Sequence, residues 1–254
     1  MRSRIAPLAD TAACAPRSPD ILAPDILAPD ILPQGGLAAG RLHEFYSADP
    51  DDAAAAGLVA GAAIAAMGAR GAMVWLRDRR SGRSHGVIQG SGWADMGGAP
   101  EAALFVLADD AKALLRAGLD AVRSAGAAVV VIESHGQLPE LDLTASRRLA
   151  FAAEKSGVLL LQLRHAASPV PSAAETRWSA AAAPSRALPA NAPGLPCFDI
   201  ILLRHRNGPA GGRWRLEWDR DQRIFREAAL SGAVLSLPAS RAAAAGRGAV
   251  RYAA

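Results

Sequence analysis

The sequence is nearly without lysine. Only Lys112 and Lys155 occur among its 28 basic residues, and the others are arginine. Cysteine is as scarce. Cys14 and Cys197 lie far apart and form no metal-ligand spacing, so the pattern excludes a disulfide framework and fits a reducing compartment. A long apolar run is missing too. The stretch 53–67 is too short and too rich in Ala and Gly to span a bilayer. "TAAC" at 11–14 resembles a lipoprotein cleavage site, but no apolar run of the length a signal needs precedes it. The expectation is a soluble cytoplasmic protein with no membrane association.

The chain has 254 residues and is 51% hydrophobic, enough for one domain with a sizeable core. Heavy use of Ala, Arg and Gly is what a GC-rich genome produces, so Ala-rich runs carry reduced meaning. The net charge is +4, unevenly spread. Residues 1–39 hold Arg2, Arg4 and Arg17 against Asp10, Asp20, Asp25 and Asp30, whereas 239–254 hold Arg241, Arg247 and Arg251 with no acid. The part between is close to neutral, so the sequence pI of 9.7 is not by itself a nucleic-acid footprint.

Residues 19–33 read "PDILAPDILAPDILP". Proline at every fifth position forbids a regular helix and spoils a strand. Residues 1–39 are therefore expected to be a disordered leader, 40–238 the folded domain, and 239–254 a disordered basic tail. Within the domain the signals alternate. "RLHEFY", "AMVWLR", "ALFVLA", "AAVVVIES" and "VLLLQLRH" read as strands. Helices are expected over 51–68, from Asp109 as N-cap, and over 143–157 with Gly157 at the end. Continuously apolar strands indicate a sheet covered on both faces. Farther on, "TRWSAAAA", "FDIILLRHR" and "RWRLEWD" read as strands, the last two forming a hairpin about "NGPAGG", with "GAVLSLP" at 232–238 a final strand. The fold class is α/β: a mostly parallel sheet flanked by helices, with a C-terminal β-hairpin extension.

The order of these elements from Gly40 to about Ser185 resembles the RecA recombinase core. "GRLHEFY" is similar to the strand that leads into that family's phosphate loop, and "AAVVVIES" to the strand carrying the metal-side acid, with Glu133 at that position. The later segments, "DLTASRRLAFAAEKSGVLLLQLRHAA", "ETRWSAAAAPS", "LPANAPGLPCFDIILLRHRNGPAGGRWRLEWDRD" and "LSGAVLSLP", resemble more specifically the ImuA family, RecA/SulA-related accessory factors of bacterial error-prone repair. The resemblance implies two partners, an ImuB-type polymerase-like subunit and an error-prone replicative-type polymerase, and leaves RecA itself open as a third. It also implies a part in the SOS DNA damage response, translesion synthesis and damage-induced mutagenesis.

The phosphate loop departs from the pattern. Such a loop works because backbone N–H groups converge on the phosphates, glycines allow close approach and a Lys neutralises charge. Aligning "EFYSADPDDAAAA" with it puts Ser47, Asp52, Ala53 and Ala54 at the signature positions. Glycines, Lys and the metal-binding hydroxyl are gone, and Asp49, Asp51 and Asp52 stand there instead. Carboxylates suit a helix N-terminus and repel a triphosphate. The loop is therefore a self-capped helix start, with side chains in place of the nucleotide. On this reading the chain is no enzyme and holds no cofactor or metal. Glu133 is then a polar strand end, and Arg164, near the nucleotide-sensing position of the resemblance, a solvated one.

Other constellations are weaker. "RWRLEWDRDQRIFR" interleaves Arg with Trp and Phe, but Glu217, Asp219 and Asp221 nearly cancel the charge that phosphate affinity requires. Trp214, Leu216 and Trp218 alternate onto one strand face, which suits core packing. The loops that would contact DNA, between Ser134 and Leu143 and between Ala166 and Thr176, are short and nearly free of Lys and Arg. DNA contact is thus expected to be indirect or weak. "GSGWADMGG" has a Gly-x-Gly with no strand leading into it, and the five His residues form no cluster in sequence. For partner contact, Arg204 and Arg206 are the expected residues. Two other functions remain open at this point, a divergent RecA-like ATPase and a SulA-like inhibitor of cell division.

Overall fold

A computed structural model describes residues 37–67, 71–208 and 210–228. Most of the PDILA repeat leader, the expected strand at 232–238 and the basic tail lie outside the described residues. The packed fold reaches back past Gly40, since Leu37 is buried in the core with 2% of its surface exposed.

Among the described residues, nine strands form one sheet. They are β1 (Leu42–Ser47), β2 (Ala72–Asp78), β3 (Ala103–Ala108), β4 (Ala127–His135), β5 (Leu159–His165), β6 (Thr176–Ala182), β7 (Cys197–His205), β8 (Arg213–Asp219) and β9 (Ile224–Glu227). Their spatial order is β3-β2-β4-β5-β1-β6-β7-β8-β9. The strands from β3 to β6 pair in parallel, and β6 through β9 pair antiparallel. This is the expected mostly parallel sheet with an antiparallel C-terminal extension. β9 was not foreseen: "IFRE" is four residues long, half of them charged.

Helices cover the sheet on both faces. On one side lies α1 (Ala54–Met67), with the short α2 (Arg79–His85) and α3 (Gly90–Asp95) following β2. On the other lie α4 (Ala111–Arg123) and α5 (Leu143–Ser156). The two cores divide accordingly. Leu58, Val59 and Ile64 of α1 pack with Trp75, Trp178, Trp218 and Phe225, while Leu114 and Val122 of α4 and Leu149 of α5 pack with Val130, Ile132 and Leu160. α1 is built from Ala, Gly and a few aliphatics and is buried on nearly all sides. Its small residues are a packing requirement, not only a composition bias. A methyl group added to Gly57 would come within 3.2 Å of the Phe198 ring, and one added to Gly61 within 2.6 Å of Phe225.

Helix ends follow local chemistry. α4 is capped by Asp110, whose carboxylate accepts from Ala113 N at 2.7 Å. The expected cap, Asp109, instead accepts two hydrogen bonds from Arg79. Asp142 caps α5 through Ala145 N, and Gly157 ends it in the left-handed region at φ 74°. β3 is one edge of the sheet, and Leu104, Phe105 and Leu107 on it are exposed. Among the described residues no helix is long and apolar enough to cross a membrane.

Candidate functional site

In a parallel α/β sheet, ligands meet the C-terminal ends of the strands. Here that edge gathers Ser47 of β1, His165 of β5, Glu133 of β4 and Arg77 of β2. The four form one line across neighbouring strands. Ser47 Oγ lies 2.7 Å from His165 Nδ1, and His165 Nε2 lies 3.4 Å from Glu133 Oε1. Glu133 Oε1 accepts from Arg77 Nη2 at 2.7 Å, and Glu133 Oε2 from the Trp75 indole at 2.7 Å. Which of Ser47 Oγ and His165 Nδ1 donates follows the protonation of the imidazole.

Glu133, expected as a polar strand end, lies near the end of β4 but is enclosed by the protein. It is 1% exposed. Burial alone would raise its pKa, but the hydrogen bond from His165, the charge of Arg77 and the bond from Trp75 outweigh that and hold the carboxyl below its usual range. A buried carboxylate with an Arg, an indole and an imidazole around it is neutralised from inside the protein. Arg164 also differs from expectation. It is 1% exposed, its guanidinium lies 5.7 Å from the Tyr46 ring centroid, and its Nη2 donates to Gln137 Oε1. Gln137 in turn donates to Ser168 O, so the loops after β4 and β5 are tied to each other.

The line from serine to carboxylate has the order of a hydrolytic relay, but the oxyanion donor such chemistry needs is missing from its usual place. The first amide after Ser47, that of Ala48, already donates to Ala180 O at 2.8 Å. The same holds along the turn. Asp51 N donates to Asp49 Oδ1, Asp52 N to Asp49 O, and Ala54 N to Asp52 Oδ1 at 2.7 Å. The second oxygen of Asp52 accepts from Ala182 N on β6 at 2.7 Å. The amides of Ala48, Asp51, Asp52 and Ala54 thus point at protein oxygens, where a phosphate loop would point its amides at an anion.

The three acids have different tasks. Asp52 begins α1 and clips it to β6, Asp49 shapes the turn, and Asp51 is exposed. Ala53 and Ala54, at the signature Lys and hydroxyl positions, present only methyl groups.

No protein-family model matches the chain, and no curated protein matches it. Among solved structures, the crystal structure of the RadB recombinase is similar to it, with a TM-score of 0.49 and 16% identity over 79% of this chain and 96% of that one.

Arg204 and Arg206 lie at the other end of the sheet, away from this line. Arg204 is half-buried and donates through Nη1 to Ser172 O at 3.2 Å, while Arg206 is exposed. The expected core face of β8 is present: Leu216 and Trp218 are fully buried, and Trp214 is partly so. His165, Arg77 and Trp75 were not anticipated at the site. His165 ends β5, while Trp75 and Arg77 stand two residues apart on one face of β2, and nothing in the sequence links the two strands at this point.

Proposed function

We propose that the chain is a non-catalytic accessory protein of the ImuA type, a RecA-like scaffold that supports error-prone translesion synthesis through protein contacts. The observation that carries the non-catalytic part is the carboxylate of Asp52, bonded at once to Ala54 N and Ala182 N where a phosphate loop would hold its nucleotide. Glu133 supports the same reading, since its oxygens are directed at Arg77 and Trp75 and not at a metal-binding space. The translesion role rests on the sequence resemblance of residues 142–238 to the ImuA family. Partners on this reading are an ImuB-type polymerase-like subunit, and beyond it the error-prone polymerase and RecA.

Two measurements test it. Purified protein is titrated with a fluorescent ATP analogue with and without Mg²⁺, and the expected result is no saturable binding. Tagged protein is then recovered from cells after DNA damage, with an ImuB-type subunit expected among the bound proteins. Hydrolysis of ATP by the unmodified chain would replace this reading with that of a divergent ATPase. Recovery of a cell-division protein in place of the polymerase subunit would favour a SulA-like inhibitor.

A further inference from the structure

The face of the molecule opposite the Ser47–Glu133 line carries two concavities on either side of one exposed ring. Phe151 projects from α5 with 68% of its surface exposed. The first cavity, about 320 Å³, is lined by Phe151 and by Arg41, Arg147, Arg204 and Arg206. The second, about 490 Å³, shares Phe151 and is lined by Arg123 and Lys155 at the ends of α4 and α5. Leu143, also exposed, lies two turns before Phe151 and lines the first cavity.

The charge here is one-sided. The lining acids are Glu154 and Glu175, and both are engaged: Glu154 with Arg41 at 2.9 Å and Glu175 with Asn207 at 2.9 Å. Arg147 and Arg206 are exposed guanidinium groups of the first cavity. A guanidinium recognises a carboxylate with two parallel N–H donors, and an exposed aromatic beside such groups supplies the apolar anchor that interfaces concentrate their energy on.

We propose that this face is the docking site for a short acidic segment of a protein partner, one that sets carboxylates against the arginines and an aliphatic or aromatic side chain against Phe151. The proposal deepens the accessory reading, on which the chain works through protein contacts. Nucleic acid fits less well. Two carboxylates sit inside the cation ring, and a continuous phosphodiester chain would have to pass them. The flanking Leu143 and Phe151 match apolar side chains, whereas a single ring offers no stacking platform for successive bases. Each concavity holds one or two side chains, the grain of a linear peptide.

The test uses the full chain. A displayed library of short random peptides is selected on it, and the enriched peptides are measured by fluorescence polarisation. Enriched sequences are expected to combine several Asp or Glu with Leu, Ile or Phe. The double variant Arg147→Glu, Arg206→Glu is expected to lower their affinity about tenfold or more, as is Phe151→Ser, with unchanged thermal melting. All three side chains are exposed, so folding does not depend on them. The proposal is overturned if the selected peptides bind the double variant as tightly as the natural chain. It is also overturned if oligothymidylate binds the natural chain, loses that binding in the double variant, and the peptides do not.

The accessory reading is decided separately by recovery from damaged cells. If an ImuB-type subunit is captured undiminished by the double variant, the docking face is wrong and the accessory reading stands. If acidic peptides bind as described and no translesion protein is recovered, the docking face stands and the accessory reading falls.

Discussion

Gly61 lies directly beneath Phe225: a methyl group on its α-carbon would sit 2.6 Å from Phe225 Cζ and 3.0 Å from Trp218 Cε3. The contact joins the middle of α1 to the last described strands of the sheet. In isolation, Ala at this position would favour the helix by about 1 kcal/mol. Packing reverses the sign. Gly61→Ala is expected to destabilise the protein by about 1–3 kcal/mol through overpacking, and Gly61→Val by more. Gly82, where an added methyl meets nothing within 4 Å, is the control. Gly82→Ala is expected to be neutral or mildly stabilising. Urea unfolding of the three variants checks this, and a stable Gly61→Val protein would contradict the described packing of α1.

The three acids of the loop after β1 are expected to separate by mutation. Asp52→Ala removes two charge-assisted bonds, to Ala54 N and Ala182 N, and is expected to cost about 2–3 kcal/mol. Asp51→Ala, at an exposed side chain, is expected to fall within about 0.5 kcal/mol of the natural protein. Replacing Asp49, Asp51 and Asp52 together with Ala is expected to give no ATP hydrolysis. Calorimetric melting temperatures rank the variants, and equal effects of Asp51→Ala and Asp52→Ala would remove Asp52 from its role as clip.

Breaking the buried pair of Arg77 and Glu133 from one side is expected to cost more than removing it whole. Glu133→Leu leaves the buried Arg77 without its carboxylate, at about 3–5 kcal/mol. Arg77→Met with Glu133→Leu is expected to recover most of that loss. A double-mutant cycle on denaturation midpoints measures the recovery. Additive losses would mean that the two residues act independently.

His43 gives the fold a dependence on pH. Burial is the main cause holding its pKa down at about 4 against 6.5 for a free imidazole, partly offset by the bond to Ala38 O. The unfolded chain therefore binds a proton that the folded one refuses between pH 6.5 and 4, and stability falls as pH drops through that window. The expected loss is roughly 2 kcal/mol between pH 7 and pH 5. His43→Gln starts from a lower stability and is expected to lose much less over the same range. The same slope in both proteins would place the acid sensitivity elsewhere. Glu133 adds little between pH 7 and pH 5, because the stabilisation from its lowered pKa is full above the unfolded value of 4.5 and fades as pH falls below it.

Trp218→Ala is expected to cost about 3–5 kcal/mol, since the ring is fully buried and its Nε1 donates to Met96 O at 3.0 Å. Arg204→Glu with Arg206→Glu is expected to weaken binding of an ImuB-type subunit. Its stability cost should exceed that of a purely surface change, because Arg204 holds the carbonyl of Ser172. Thermal melting paired with a pull-down separates the effects. Trp218→Ala protein that folds normally and fails to bind would move the interface to the tryptophan face.

The sheet was legible because its strands are dense in Val, Leu and Ile. β4 and β5 announce themselves as apolar runs, and α5 by its Gly157 stop. β9 escaped because Arg226 and Glu227 face away from the core while only Phe225 is buried. At the candidate site, the acids of the loop could be read in order, because capping is local. The bond between Ser47 and His165 could not. It joins residues 118 positions apart, and nothing in "RHAAS" distinguishes a histidine at a sheet edge from one in solvent. The burial of Arg164 was hidden for the same reason, since Tyr46 and Gln137 meet it from distant parts of the chain.

Asp52 also bears on timing. A nucleotide switch keeps time by losing its ligand: occupancy ends, a loop relaxes, and the next molecule resets it. The oxygen that joins α1 to β6 here is part of the polypeptide, so its local concentration never falls and no product leaves. On the non-catalytic reading proposed above, the joint keeps one state at every ATP level a cell can reach. An assembly built on this frame would take its start and stop from how much protein is made and how long each partner stays, with no clock of its own.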